Sequence, residues 1–331
     1  MWIETVGTVG VGLVVLAIWY RKRLEKSFGV HDVTDEIDVH GKVVLITGGN
    51  SGLGKECATE MAKRGAVVII ASRDAKLSLQ VIQEIQTKIP SANITFMYLD
   101  LSSLDSIRNF SEEFQKKFDH INILINNAGV YCPLKRRMKT KDGFEFNFGV
   151  NHLGHFLLTN LLLETVKRGS PSRIVVVAST LSEKGRINFD DLLLEKEDPD
   201  KSKIHAYGNS KLANIVFAKE LSERLVGSGV NVYALCPGWV KTDLARYMQL
   251  RWWNYFLIVP AAFLFMRSPG QGVQTILHCA LSKKTEDCTG NLYKNCADWN
   301  TKSQITGEMA EKLWEASEHL ILKSSTKKRM E

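Results

Sequence analysis

The sequence predicts an α/β chain built on a doubly wound parallel sheet. Three observations carry that expectation: short β-branched apolar runs recur, longer amphipathic stretches separate them, and tight turns join the two. The runs are Lys42–Thr47, Ala66–Ser72, Ile94–Leu101, Ile121–Asn126, Arg173–Ser179 and Val230–Leu235, with a last short one at Gly290–Lys294. A strand apolar at consecutive positions is buried on both faces, which requires helices on both sides of a parallel sheet. Ser106–Lys117 and Leu153–Lys167 carry a helical pattern between the runs. Gly65, in Arg64-Gly65-Ala66, suits the left-handed cap that ends a helix before the next strand.

The 331 residues suit one large α/β domain with appendages, although two domains are not excluded. The expected division is 1–23 as an N-terminal membrane anchor helix with a basic flank, 24–40 as a polar connector, 41–322 as the α/β domain and 323–331 as a basic tail. With 44% hydrophobic and 24% charged residues, the composition supports a sizeable core. The net charge of +7 is mild, and basic clusters interleaved with stacking aromatics are lacking, so nucleic acid is not an expected partner. Six cysteines (Cys57, Cys132, Cys236, Cys279, Cys288, Cys296) show no CxxC pair and no metal-ligand spacing. They read as reduced, packed thiols, and no metal is expected. Of the two N-x-S/T triplets, Asn93-Ile94-Thr95 and Asn109-Phe110-Ser111, the first opens a predicted strand, a poor place for a glycan.

The N-terminus differs from the rest. Thr5–Tyr20 carries no charge, and Arg21-Lys22-Arg23 follows at once. Counted from Ile3, the stretch would be about 27 Å long as a helix, slightly short of the roughly 30 Å of a hydrocarbon core. Trp2, Trp19 and Tyr20 stand where interfacial aromatics would anchor its ends. No basic residue precedes the run and no small-residue cleavage site follows it, which argues against a removable leader. A membrane anchor is expected, with the α/β domain on the cytosolic side. The endoplasmic reticulum is the default membrane for such an anchor; mitochondrial and lipid-droplet membranes are the alternatives.

The first run ends in Thr47-Gly48-Gly49-Asn50-Ser51-Gly52-Leu53-Gly54, followed by a helical pattern. Glycines spaced GxxxGxG let backbone approach a pyrophosphate at a helix N-terminus, where free N–H groups face the anion. Gly48, Asn50, Ser51, Gly52, Leu53 and Gly54 are the expected contacts. The second run ends in Ser72-Arg73-Asp74. Arg73 can grip a ribose 2′-phosphate in a bidentate contact, which favours NADP(H), while Asp74 is the residue that would argue for NAD(H). Asp100, ending the third run, is a candidate adenine contact, with Leu101 beside it. Asn126-Asn127-Ala128-Gly129 ends the fourth run, where Asn127, Ala128 and Gly129 can line the nucleotide ribose.

Tyr207-Gly208-Asn209-Ser210-Lys211 puts a phenol and an ammonium on one helix face. Hydride reduction of a carbonyl needs a proton donor at its oxygen. Free tyrosine, with a pKa near 10, becomes a usable acid and base only beside a cation. Lys211 is placed to supply it. Ser179, ending the fifth run, can orient the substrate oxygen toward Tyr207, and Asn151 can hold a water that continues the proton path to Lys211. Pro237-Gly238-Trp239-Val240-Lys241-Thr242 follows the sixth run and can close over a nicotinamide, with Pro237, Gly238, Val240 and Thr242 as its contacts.

These segments resemble the short-chain dehydrogenase/reductase family over roughly residues 40–300. The resemblance is carried by TGxxxGxG at Thr47–Gly54, NNAG at Asn126–Gly129, Asn151, Ser179, YxxxK at Tyr207 and Lys211, and PGxVxT at Pro237–Thr242. It implies a Rossmann-type sheet, with Tyr207 as acid/base, Lys211 tuning it and holding the cofactor ribose, Ser179 orienting substrate and Asn151 supporting a proton relay. Asp142–Glu145, Asn151–Asn160, Phe189–Leu192 and Ser210–Asn214 are most similar to membrane-bound, NADPH-preferring retinol dehydrogenases, which implies interconversion of retinol and retinaldehyde. Polyprenol and steroid dehydrogenases share much of that pattern, so another lipid substrate is the alternative. A non-catalytic scaffold is disfavoured because no member of the catalytic set is missing. A nucleotide-sugar epimerase or dehydratase is disfavoured by its usual TGxxGxxG spacing.

Two features stand outside this scheme. His152 and His155 lie three residues apart on a helix without a third metal ligand in reach, so packing or a subunit contact is the expectation. The segment 250–267, apolar over Trp252–Met266, is too short for a membrane span and is interrupted by Pro260. A substrate lid dipping into the bilayer and a core or homodimer-interface helix are both consistent with it.

Overall fold

The computed structural model describes residues 18–25, 37–199, 205–241, 244 and 254–330. Among them the strands in chain order are β1 (Val43–Thr47), β2 (Val67–Ser72), β3 (Asn93–Tyr98), β4 (Ile123–Asn126), β5 (Ser172–Val177), β6 (Val230–Cys236), β7 (Leu292–Lys294) and β8 (Ala297–Asp298). They form one sheet in the order β3-β2-β1-β4-β5-β6-β7-β8. Every pair is parallel except β7 with β8. The chain winds outward from β1 in one direction and then from β4 in the other. A crevice therefore opens at the carboxyl ends of β1 and β4, the place where such sheets bind ligands.

The alternation inside each strand explains the double winding. Val43 and Leu45 of β1 join the core on one face of the sheet, and Val44 and Ile46 join the core on the other. In β5, Ile174 and Val176 take the first face while Val175 and Val177 take the second. Each such side chain contributes roughly 1.5–3 kcal/mol on burial, which a one-residue slip would forfeit along the whole strand.

Helices α2 (Gly52–Lys63), α3 (Ala75–Lys88) and α10 (Pro269–Leu281) cover one face; α4 (Leu104–Lys117), α6 (Gly154–Leu161), α8 (Ala206–Arg224) and α11 (Gly307–Met330) cover the other. The helix expected over Leu153–Lys167 is a composite. It begins as α5 (Phe146–Phe148), passes through a π-helical turn at Gly149–Leu153, continues as α6 and hands over at Leu162 to α7 (Leu163–Arg168). Buried Glu145 starts it early by accepting the N–H groups of Asn147 (3.0 Å) and Phe148 (2.7 Å). A helix buried on all sides has no amphipathic period to mark its start.

Among the described residues no helix is long and apolar enough to cross a membrane. Of the expected anchor, 1–17 lies outside the described residues and 18–23 belongs to the short helix α1 (18–25); 26–36 of the connector is likewise outside. Arg21 of α1 donates to the carbonyl of Phe263 and, at 3.4 Å, to that of Met266; its guanidinium lies 5.4 Å from the Phe263 ring centre. These residues sit at the end of α9 (Asn254–Phe265), which accommodates Pro260 within its helix. Trp252 and Trp253 are outside the described residues. All six cysteines are free.

Candidate active site

One cavity of about 700 Å³ opens at the carboxyl edge of the sheet. It is lined by Gly48, Asn50, Ser51, Gly52, Leu53, Gly54, Arg73, Asp100, Leu101, Asn127, Ala128, Gly129, Tyr207, Lys211, Pro237, Gly238 and Val240, all singled out in the sequence, and by Ser179. Thr242 lies outside the described residues. Asn151 is fully buried behind the wall instead of lining it.

The glycine turn is set by steric necessity. Gly48 sits at φ +66°, in the left-handed region, and a Cβ on Gly54 would collide with the Gly48 carbonyl and lie 2.7 Å from Asn127 Nδ2. Asn127 Nδ2 donates to Thr47 O at 2.9 Å and ties the turn to the end of β4. Thr47 Oγ1 accepts the N–H groups of Asn127 and Ala128, both at 2.9 Å, and lies 2.9 Å from His155 Nε2. His155 Nδ1 faces the Asn151 carbonyl at 2.9 Å, so Nδ1 carries the proton and Nε2 accepts from Thr47. Burial holds His155 neutral, its pKa lowered to about 4. His155 is thus a packing residue, as expected, but also a brace between the first turn and the helix that carries Asn151. His152 packs against Phe148, Phe156 and Phe217, with Nε2 2.9 Å from Ser317 Oγ.

At the end of β2, Arg73 is exposed at the cavity and the Asp74 carboxylate caps α3, accepting from Leu77 N at 2.9 Å. Asp100 is tied down by Ser102, whose N–H (3.0 Å) and hydroxyl (2.7 Å) donate to Oδ1, and by Lys141 Nζ at 2.9 Å from Oδ2. Burial pushes its pKa up, but these donors together hold it below the usual carboxylate range.

Tyr207 and Lys211 lie one turn apart at the start of α8, both buried, with Lys211 Nζ 5.8 Å from the Tyr207 ring centre. Lys211 Nζ donates to Val177 O at 2.8 Å, which places the ammonium at the end of β5. Ser179 Oγ accepts from Leu181 N at 3.2 Å, and Ser179 lines the same cavity as Tyr207. Asn151 accepts from Val130 N (2.8 Å) and donates to Val130 O and Ser210 Oγ (both 2.9 Å). Ser210 in turn donates to Tyr207 O at 2.8 Å, so Asn151 braces the start of α8. The position a Cβ would take on Gly129 is 3.6 Å from both Asn151 Oδ1 and Lys211 Nζ, so only a glycine separates the two side chains.

The electrostatics correct one expectation. Burial raises the Tyr207 pKa further above its ordinary value, against the opposing Ser179 hydrogen bond, and lowers that of Lys211 to about 8. Desolvation favours the neutral form of each, so the acidified phenol expected from their spacing is not what these side chains produce alone.

The loop after β6 is clamped from behind. Arg267 N donates to Trp239 O at 2.7 Å, Lys241 N donates to Arg267 O at 3.1 Å, and Arg267 Nη1 reaches Pro237 O at 3.2 Å. Tyr131, Leu181, Trp239 and Leu244 complete the cavity. None of the four was singled out by sequence pattern as a site residue; Tyr131 was discoverable only as the second residue after the NNAG turn, and Trp239 as the variable position of its own motif.

The profile of the short chain dehydrogenase family matches residues 42–191. Retinol dehydrogenase 11 of Homo sapiens is 44% identical over 290 residues, covering 87% of this chain and 88% of the relative. Retinol dehydrogenase 12 of Mus musculus is 42% identical over 90% of this chain and 92% of the relative. A solved structure of an uncharacterized protein from Mycobacterium Paratuberculosis superposes with a TM-score of 0.63 at 31% identity, covering 86% of this chain and 95% of that one. The Pseudomonas aeruginosa RhlG/NADP active-site complex gives a TM-score of 0.63 at 21% identity over 78% and 96% of the two chains, a likeness of fold. Identity of 44% over 87% of the chain leaves one assignment: the chain belongs to the short chain dehydrogenase family and is a nicotinamide-dependent oxidoreductase.

Proposed function

We propose that the protein interconverts a lipophilic alcohol and its carbonyl compound with NADP(H), with retinol and retinaldehyde as the first pair to test. The observation that carries this reading is the meeting of Tyr207, Lys211 and Ser179 in one cavity whose remaining wall includes Tyr131, Leu181, Trp239 and Leu244. Nicotinamide, when bound, supplies or takes up the hydride. In the reduction direction the Ser179 hydroxyl orients the carbonyl oxygen and Tyr207 gives it a proton; in oxidation Tyr207 takes that proton back. Lys211 holds the cofactor ribose, and the turn from Gly48 to Gly54 receives the pyrophosphate. The relatives' names support the retinoid substrate.

Arg73 and Asp74 support NADP(H) over NAD(H). Both residues line the cavity, and the Asp74 carboxylate that would take a ribose hydroxyl is engaged at the N-cap of α3. A charge-assisted contact with a 2′-phosphate contributes about 1.5–3 kcal/mol, so Arg73→Ser should weaken NADPH binding about 10- to 100-fold and leave NADH nearly unchanged. Titration of both cofactors, with nicotinamide absorbance followed against retinaldehyde, tests the reading. Equal losses for the two cofactors, or no oxidation of NADPH by any apolar carbonyl, would end it.

Membrane attachment belongs to the same reading, with the endoplasmic reticulum as the expected site. The uncharged stretch runs into α1, where Trp19 is exposed; Arg21 ties α1 to α9, whose Phe263 and Phe265 are also exposed. An arginine at the centre of a membrane helix costs about 2.5–3.5 kcal/mol. Leu13→Arg with Leu16→Arg should therefore release the full chain from phosphatidylcholine vesicles in a flotation gradient. Identical flotation of the two proteins would refute the anchor.

A further inference from the structure

We propose that Tyr131 is the specificity-determining wall of the substrate pocket, and that Asn147 and Glu145 position it. The inference rests on the carbonyl-reductase reading and names the substrate it prefers, a flat unsaturated apolar chain. Two asparagines one helical turn apart, Asn147 and Asn151, act on the segment that follows the fourth strand. Asn151 pairs with both backbone groups of Val130. Asn147 does the same for Cys132, accepting from its N–H at 2.8 Å and donating to its carbonyl at 2.8 Å. The two amides thus satisfy residues 130 and 132 much as a neighbouring strand would. Val130 and Cys132 are buried in the core, and Tyr131 between them lines the cavity.

There the Tyr131 ring centre lies 4.9 Å from that of Tyr207, tilted by 44°, and meets the His205 ring edge-on at 6.0 Å. A second aromatic face beside the reactive phenol favours a planar conjugated carbonyl over a short saturated one, because the flat chain gains both area and stacking geometry. Tyr131 N also faces Leu244 O at 3.4 Å, joining the wall to the other side of the pocket.

Glu145 makes the arrangement specific. Its buried carboxylate accepts from Asn147 Nδ2 at 2.7 Å, which determines which end of the amide is nitrogen. With that orientation set, Asn147 Oδ1 can only accept from Cys132 N and Nδ2 can only donate to Cys132 O. Reversing the amide would lose all three bonds. Glu145 and Asn147 are therefore positioning residues: they act through residue 132 on the ring next to it.

The test compares kcat/KM for retinaldehyde and for hexanal in the wild type, Tyr131→Phe, Tyr131→Ala and Asn147→Leu. Tyr131→Ala should lower the retinaldehyde-to-hexanal ratio about tenfold or more, mainly through KM for retinaldehyde, with NADPH affinity intact. Tyr131→Phe, which keeps the ring, should stay near the wild-type ratio. Asn147→Leu should move the ratio in the same direction as Tyr131→Ala; equal losses for both aldehydes would reduce it to a stability residue. A readout independent of turnover accompanies the rates: in a Tyr207→Phe background, Tyr131→Ala should raise the Kd for retinaldehyde, measured by tryptophan quenching, without changing that for NADPH. Absent turnover with this binding effect present condemns the reductase reading and keeps the wall. Unchanged selectivity in both rates and binding overturns the wall.

Discussion

Tyr207→Phe should lower kcat for carbonyl reduction by about 10²–10⁴-fold while NADPH binds as before. The phenol is a buried acid that shares the cavity with Ser179, and desolvation raises its pKa. Phenylalanine retains the ring and its packing against Tyr131, so a loss confined to turnover isolates the proton. The pH dependence follows from the two shifts. Tyr207 is raised, so the proton needed for reduction is in place throughout the neutral range; oxidation needs that proton gone and should speed up as pH rises. Lys211 is lowered to about 8, so its charge is present below that pH and lost above it. NADPH affinity should therefore weaken as pH passes through about 8, since a buried cation that meets the ribose becomes neutral. Steady-state rates and cofactor titrations between pH 6 and 10 check both slopes. Reduction that persists near the wild-type rate in Tyr207→Phe would remove the proton donor from the argument.

Gly54→Ala should abolish measurable NADPH binding and lower the thermal midpoint. The added methyl meets the Gly48 carbonyl and the Asn127 amide, which are held by the turn itself and by Thr47. Overpacking of this kind costs about 1–3 kcal/mol or more, and it moves the N–H groups that face the pyrophosphate. A displacement of about 1 Å at a binding cradle is worth about 10²-fold. Gly307→Ala is the control, because a Cβ there meets nothing within 4 Å. Calorimetric titration with NADPH and thermal unfolding of the two variants decide the matter; unchanged affinity in Gly54→Ala would mean the turn does not cradle the cofactor.

The half of the cavity proposed to hold the cofactor was legible because its residues are local. The turn from Gly48 to Gly54, the NNAG segment and the Tyr207–Lys211 pair are each short stretches whose spacing alone sets their shape. The substrate half was not. Tyr131, Leu181, Trp239 and Leu244 come from four separate segments, and no period in the sequence brings them to one cavity. Thr47 and His155 are 108 residues apart, yet their hydrogen bond holds the first turn to the helix of Asn151. Of the composite helix only the start, Phe146–His152, escaped the sequence reading, since burial all round erases the amphipathic stripe that marks a helix.

By itself the sequence determined where the parallel strands lie along the chain, because a strand buried on both faces must be apolar at consecutive positions. It also picked out most of the residues that the structure brings to one cavity. Only the tertiary structure decided the direction in which the Tyr207 and Lys211 pKa values shift, the aromatic wall beside Tyr207 and the contact of Arg21 with α9. Those depend on desolvation and on side chains distant along the chain, quantities that come into being when the two faces of the sheet are covered.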